Sequence, residues 1–151
     1  MPAPKSRLVP KAEPYEPMEV AKKLYRKVSN ACVKMPDRYS YILLTQTIEL
    51  AGKAMDNVKM ALSVESPLAL CEVEFRHGCW VKARAMLKAL SNRFDRFVEV
   101  PDVLRYNDPN TNRKKGLTIN EIEEIADLVN YELYLIDESL ERDKRRFKSI
   151  K

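Results

Sequence analysis

The stretch KMPDRYSYILLTQTI, residues 34–48, contains a corner between two helical patterns. Pro36 disfavours helical geometry in the residue that precedes it, so a helix arriving from the N-terminal side ends there. Asp37 has a side-chain oxygen that suits the N-terminal cap of a following helix. Leu44 and Ile48 then begin a new apolar face with helical spacing. The stretch therefore predicts two helices that meet at a short corner.

Four segments repeat apolar or small residues in steps of three and four, which is typical of a helix with one buried face. The four faces are Met18, Ala21, Tyr25, Val28, Cys32 and Met35; Tyr41, Leu44, Ile48, Ala51, Met55, Val58 and Leu62; Val73, Trp80, Ala83, Leu87, Leu90, Phe94 and Phe97; and Ile119, Ile122, Ala126, Val129, Leu133, Ile136 and Leu140. A mean period of about 3.5 residues predicts a left-handed supercoil, and short links predict antiparallel neighbours. We therefore predict an all-α, antiparallel up-down four-helix bundle over residues 17–147.

Local signals mark the ends of the predicted helices. Pro17 suits the first turn of helix 1, and helix 2 is predicted to begin at about Arg38. Ser66 and Pro67 predict a cap and a first-turn proline for helix 3. Residues 118–121, with the sequence TINE, form a capping box that predicts the start of helix 4.

Three segments lie outside the predicted bundle core. Residues 1–16 contain four prolines, which interrupt helix and sheet, so a flexible N-terminal arm is predicted. Residues 98–117 are predicted to form a polar loop before helix 4 that exceeds the usual connection of about two to eight residues. Residues 148–151 form a short basic tail.

The composition narrows the class of protein. The 151 residues, of which 45% are hydrophobic and 32% charged, fit one globular domain with a core. The chain has only 3 glycines, and they are isolated from one another, so a glycine-rich phosphate loop is excluded. The formal charge of +5 favours association with phosphate backbones, acidic proteins or anionic lipid.

The cysteines and the N-terminus bear on the compartment. Cys32, Cys71 and Cys79 form no close pair and are predicted to be small buried residues in a reducing environment. The N-terminus lacks the uninterrupted apolar run of a secretory signal, and no segment reaches the roughly 20 apolar residues that span a bilayer. We therefore predict a cytoplasmic protein with no membrane partner.

Catalytic groups are scarce in this chain. Glu74 and His77 have the Glu-x-x-His spacing of di-metal helical bundles, but that chemistry needs a second such motif and further carboxylates. His77 is the only histidine, and the inward positions of helices 2 and 4 are predicted to be apolar. A di-metal enzyme assembled between subunits is the alternative from this class. We predict no enzyme activity, no cofactor and no metal.

Basic residues gather on helix 1, in the long loop and at the end of helix 4. The candidate binding residues are Lys22, Lys23, Arg26, Lys27, Arg113, Lys114, Lys115, Arg142, Lys144, Arg145, Arg146 and Lys148. Residues 142–151 alone contain five more basic than acidic residues, which equals the excess of the whole chain. Such groups bind phosphates by counterion release, with a steep salt dependence. The alternatives are a solvated surface that aids solubility and a membrane surface, for which only Phe147 and Ile150 are available to insert.

Several motifs together resemble a known family. They are Met35-Pro36-Asp37-Arg38-Tyr39 followed by Leu43, Leu44 and Ile48; Glu74-Phe75-Arg76 followed by Ala83, Leu87 and Leu90; and Leu117-Thr118 before the last helix. On these motifs, residues 18–97 and 117–147 resemble the four-helix-bundle proteins that include the accessory variability determinant of diversity-generating retroelements. The same family includes the proteins encoded in intervening sequences of bacterial large ribosomal RNA.

The resemblance implies a partner and an assembly. The accessory protein of that family binds the retroelement's reverse transcriptase and its template RNA, supports mutagenic cDNA synthesis, and forms a ring-like homopentamer with a basic outer surface. The alternative within the family is an RNA-binding bundle of another mobile element or a ribosomal RNA intervening sequence, without a polymerase partner. The packing positions that carry over are Pro36, Tyr39, Leu44 and Leu90. The proline-rich arm and the long loop depart from the family pattern.

Two further sets of residues bear on assembly. Arg38 and Arg76 are predicted to serve helix-terminus or intersubunit contacts. Apolar residues outside the main faces are predicted to reach the surface and favour a homo-oligomer. These residues are Leu24, Ile42, Leu43, Val81 and Met86.

Overall fold

A computed structural model describes residues 15–35, 44–99 and 116–150. Within these ranges the chain forms four α-helices and no β-strand. The helices are α1 (Glu16–Val33), α2 (Thr45–Ser63), α3 (Leu70–Glu99) and α4 (Ile119–Arg146). The predicted all-helical fold with four helices is confirmed. The corner at residues 36–43, most of the N-terminal arm and most of the long loop lie outside the described residues.

Among the helix starts, those of α1 and α4 follow their predicted local signals and that of α3 does not. The Thr118 hydroxyl accepts a hydrogen bond from the Glu121 amide, and the Glu121 carboxylate accepts one from the Thr118 amide, which confirms the capping box. Pro17 lies in the first turn of α1 as predicted. The predicted cap of helix 3 was wrong, because α3 begins at Leu70, where the Glu72 carboxylate accepts a hydrogen bond from the Leu68 amide.

The core is one cluster to which all four helices contribute. Trp80 and Leu87 of α3, Val28 of α1 and Val58 of α2 are fully buried in it. Helix α1 packs against α2 and α4, and α3 also packs against α2 and α4, so each helix has two neighbours. The described residues of the first three predicted apolar faces lie in or against the core, except Met55 and Val73, which are half-buried outside the core cluster. Helix α3 continues to Glu99, so the first two residues of the predicted polar loop are helical.

The predicted inner face of the fourth helix was wrong in part. Ile119 is 62% exposed and Ala126 is exposed, whereas Ile125 is buried. The buried side chains of α4 are Ile125, Val129, Glu132, Leu135, Ile136, Ser139 and Asp143. The prediction that inward positions of helix 4 are apolar is also wrong, since two carboxyl groups lie there. Asp143 is compensated inside the core by hydrogen bonds from α3, which favours this rotation of α4.

Several expectations about exposure also need correction. Leu24 is a core residue and Met86 is partly buried against the core, so only Val81 of the described residues predicted to favour assembly is exposed, at 44%. Cys32 and Cys79 are buried and free, as predicted, but Cys71 is exposed because it lies on the outer side of α3's first turn. Burial raises the pKa of the Cys32 thiol to about 11. None of the helices in the described ranges combines the length and hydropathy needed to cross a bilayer.

Candidate nucleic-acid interface

Helix α1 presents a row of cations on the side away from the core. Lys22, Lys23 and Arg26 are exposed, while Leu24 and Val28 on the other side are buried. No carboxylate in the described part of the chain lies within ion-pair distance of these three cations. An anion approaching α1 therefore meets cationic groups without displacing a carboxylate of the described residues.

A groove of about 430 Å³ lies between α1 and the first part of α4. Its lining residues are Lys23, Arg26, Lys27, Asn30, Ala31, Lys34, Glu121, Glu124 and Ile125. Two ion pairs join its walls, because Lys27 donates to Glu124 and Lys34 donates to Glu121, each over 2.6 Å. The groove thus holds two more cations than carboxylates, and the excess comes from Lys23 and Arg26.

The electrostatics of the groove are set by these pairs. Partial burial raises the pKa of Glu121, but the hydrogen bonds from Lys34 and from the Thr118 amide and the charge of Lys34 outweigh it. The net pKa of Glu121 is therefore lowered, and the residue is a carboxylate at neutral pH. Lys27 was predicted as an RNA-binding residue, but its charge is already compensated by Glu124 in the structure. An anion that approaches Lys27 would compete with this carboxylate, whereas one that approaches Lys23 or Arg26 would not.

The C-terminal end of α4 carries the second group of exposed cations. Lys144, Arg145, Arg146 and Lys148 are exposed, and Arg142 is half-buried. The guanidinium of Arg146 lies 4.9 Å from the ring centroid of Phe147, which restricts this otherwise mobile side chain. Asp143 lies next to these cations in the sequence. It does not pair with them, because it is buried and bound to Arg76.

Arg76 connects this end of α4 to two other helices. Its guanidinium donates to both oxygens of Asp143, over 2.6 and 3.2 Å, and Trp80 donates to the same carboxylate over 3.0 Å. Arg76 also donates to the carbonyl oxygens of Ala61 and Val64 at the end of α2. A helix-terminus contact was one of the roles expected for Arg76, and it is the one found. The network fixes the point from which the C-terminal cations project.

The structure does not bring the predicted basic groups into one patch. Glu124, which faces Lys27 of α1, and Lys144 are twenty residues apart on the same helix, or about 30 Å at the α-helical rise. The α1 cations and the C-terminal cations are therefore separate surfaces. The third group, Arg113, Lys114 and Lys115, lies outside the described residues.

Metal-ligating and acid–base groups are dispersed in the described ranges. Glu74 and His77 are both exposed on α3. Among residues 15–35, 44–99 and 116–150, no three His, Cys, Asp or Glu side chains are placed to hold one metal ion. The Glu-x-x-His spacing of α3 therefore lacks, within these ranges, the further ligands that di-metal chemistry requires.

Glu132 of α4 is the unexpected polar residue of the core. It is fully buried, and neither carboxyl oxygen has a hydrogen-bond partner among the described residues. Burial, and then the nearby charge of Glu16, raise the pKa of Glu132 to about 9, so the group is neutral at pH 7. Tyr131 donates a hydrogen bond to Glu16, and burial with this contact raises the pKa of Tyr131 to about 12. Because the side chain of Glu132 is neutral and has no exposed surface, it does not contact an external substrate in this structure.

Six residues of the groove were not predicted from the sequence as binding residues, and four of them are polar: Asn30, Lys34, Glu121 and Glu124. The α1 side had a usable signal, because Lys23, Lys27, Asn30 and Lys34 recur in steps of four, three and four and so share one helical face. The α4 side had none, since only the packing of α1 on α4 brings the two carboxylates to the lysines.

Comparison of the chain with protein-family models, curated proteins and solved structures finds no match.

Proposed function

We propose that this protein is a non-enzymatic adaptor that binds structured RNA, or an RNA/DNA duplex, through basic surfaces of its helical bundle. The observation that carries the proposal is the row of exposed cations on α1, Lys22, Lys23 and Arg26, without carboxylate partners among the described residues. Cations in this state neutralise phosphates and release counterions without first breaking an internal ion pair. The C-terminal cations of α4 form a second contact surface for the same ligand.

The spacing of the two surfaces favours an extended ligand. They are separated by roughly 20–30 Å along α4, a distance that a rigid nucleic-acid helix covers within about one turn. A small anion would engage only one of the two surfaces. A structured RNA engages both, and its affinity then gains from the second contact because that contact becomes intramolecular.

The bundle itself is inferred to be an antiparallel up-down arrangement with a left-handed supercoil. Contacts between α1 and α4 support this order, because residue numbers rise along α1 while they fall along α4. The contacting pairs are Glu16 with Tyr131, Lys27 with Glu124, and Lys34 with Glu121. The pairs between α3 and α4, Arg76 with Asp143 and Arg84 with Asp137, support the same order.

The partner and assembly follow from the family resemblance. We propose that the adaptor is the accessory protein of a diversity-generating retroelement, acting in the cytoplasm with a reverse transcriptase and its template RNA to support mutagenic cDNA synthesis. We further propose a homo-oligomer, with a pentamer as the expected state. Support for a protein contact comes from the start of α3 and the segment before it, where Leu68, Leu70 and Phe75 are 89%, 45% and 52% exposed.

The RNA-binding proposal is tested with purified protein and a fluorescent structured RNA. A triple variant with Lys22, Lys23 and Arg26 changed to Gln is compared with a control in which three exposed lysines elsewhere are changed to Gln. The control lysines are Lys53, Lys59 and Lys88. Both variants lose the same net charge, so a difference between them reports on position.

The expected result is a steep salt dependence for the wild-type protein. Loss of about three phosphate contacts lowers the slope of log affinity against log salt concentration by roughly two to three in the site variant. The control should stay within about one unit of the wild-type slope. Binding that does not respond to salt, or equal losses in both variants, would contradict the proposal.

The reverse transcriptase is tested separately, by isolating the protein from its source cells. Co-purification of a reverse transcriptase together with its template RNA supports the retroelement role. Recovery of an RNA without any polymerase supports instead the RNA-binding bundle of another mobile element or a ribosomal RNA intervening sequence.

A further inference from the structure

The groove between α1 and α4 has two ends of different charge. Towards the start of α4, the Lys34–Glu121 and Lys27–Glu124 pairs join the walls. Lys23 lies one helical turn before Lys27 on α1, and neither it nor Arg26 has a carboxylate partner among the described residues. One end therefore offers unpaired cations, and the other offers carboxylates held in place by lysines.

The uncharged lining residues of the groove are Asn30, Ala31 and Ile125. Ala31 and Ile125 are almost completely buried, so they contribute only a small apolar surface. Asn30 is an exposed wall residue whose side-chain amide has no hydrogen-bond partner in the described ranges. An amide of this kind both donates and accepts hydrogen bonds, which suits a flat heterocycle or a sugar.

We propose that this groove binds a single nucleotide unit, with its phosphate at Lys23 and Arg26 and its nucleoside beside Asn30. The inference rests on the proposed RNA-binding function and names the ligand that the α1 surface takes. The shared chemistry is a nucleoside carrying one phosphate, whether it belongs to an RNA strand or is a free mononucleotide.

The size and the charge of the groove select this ligand over other anions. Its volume of about 430 Å³ lies within the usual range for small-molecule sites. Lys27 and Lys34 are already paired with Glu124 and Glu121, so the groove offers only Lys23 and Arg26 as unpaired cations, which suits one phosphate better than several. The same carboxylates accept hydrogen bonds from ribose hydroxyls or base amino groups. Arg26 matches a phosphate with its forked donors.

The test uses single-site variants of the full chain and two probes. Lys23→Gln and Asn30→Leu change the groove, while Lys59→Gln and Asn92→Leu make the same chemical changes at exposed positions outside it. The probes are adenosine 5′-monophosphate, followed by calorimetry, and a short RNA containing 4-thiouridine, followed by affinity and by mass spectrometry of photo-crosslinked peptides.

We expect the loss of RNA affinity to depend on the position of the substitution. Lys23→Gln should weaken RNA binding roughly fivefold, as expected for one lost charge-assisted contact, while Lys59→Gln changes it by less than about twofold. Asn30→Leu should weaken binding by a similar factor without changing the salt slope, because it removes no charge. Crosslinks should fall within residues 23–34 or 119–128.

The results distinguish the nucleotide site in the groove from the RNA-binding function of the protein. If the RNA binds but groove and control variants lose affinity equally, and crosslinks map elsewhere, the nucleotide site is wrong while the RNA-binding function stands. If the mononucleotide binds in a groove-dependent manner and the RNA does not bind, the site stands for free nucleotides and the proposed RNA function falls. If neither probe binds, both proposals fall.

Discussion

Replacing Glu132 by Gln is expected to stabilise the protein at neutral pH, although Glu132 is fully buried. The carboxyl group is fully buried and has no hydrogen-bond partner among the described residues. It must therefore be protonated to enter the core, because an unpaired charge there is far more costly. Gln has nearly the same shape and needs no proton.

The size of the effect follows from the pKa of Glu132, which burial raises from 4.5 to about 9. At pH 7 the unfolded chain is ionised, so protonating Glu132 costs about 3 kcal/mol at roughly 1.4 kcal/mol per pH unit. The folded state binds the proton of Glu132 more tightly than the unfolded chain does. The contribution of this proton to the free energy of unfolding is therefore fully present below about pH 4.5 and is lost as the pH rises towards 9. Below about pH 5 the variant and the wild type should differ by less than about 1 kcal/mol.

Urea denaturation of both proteins across this pH range measures the difference in the free energy of unfolding. Glu123→Gln serves as the control, because Glu123 is exposed on the same helix. Glu132→Leu should stabilise further at every pH, since it also removes two buried oxygens that lack partners, worth about 1–3 kcal/mol. A Glu132→Gln variant that is less stable than the wild type at pH 7 would refute the reasoning.

Three other predictions concern the ion-pair network, the glycines and assembly. Asp143→Ala should destabilise the protein by about 3–5 kcal/mol, because it leaves the Arg76 guanidinium buried without its counter-charge; a loss under 1 kcal/mol in urea denaturation would contradict this. Gly78→Ala should raise stability by up to about 1 kcal/mol, because an added Cβ meets nothing within 4 Å, whereas Gly116→Ala should lower it, since φ is 118° there. Thermal unfolding that shifts both glycine variants in the same direction would count against that account. Phe75→Ser should lower the mass measured by light scattering if the exposed start of α3 joins subunits; a monomeric wild-type protein would remove that role.

The rotation of α4 was predictable only in part. The spacing of apolar residues predicts a helix with Ile119, Ile122 and Ala126 on its inner face. Ile122 does pack against the core, but Ile119 and Ala126 are exposed and Ile125 is buried instead. Neighbouring isoleucines have equal hydropathy, so their pattern leaves the facing direction open by about one residue. The partners of Asp143 on α3 settle the direction, and they lie more than sixty residues away in the chain.

The groove was also predictable from the sequence only in part. The spacing of Lys23, Lys27 and Lys34 on one face of α1 is readable from the sequence, because helical geometry relates residues a few positions apart. The carboxylates that complete the ion pairs are not, since Lys27 and Glu124 are separated by 97 positions. Their charges alone gave no reason to associate these residues.

The amino-acid sequence by itself determined that the described chain is helical and where two of its helices start, at Pro17 and at the Thr118–Glu121 capping box. Such features depend on hydrogen bonds and side-chain contacts within one or two turns. Only the tertiary structure decided which carboxyl groups are buried, which cations remain unpaired, and that α1 and α4 enclose a groove. Those outcomes depend on the desolvation of groups that become neighbours only when the helices pack.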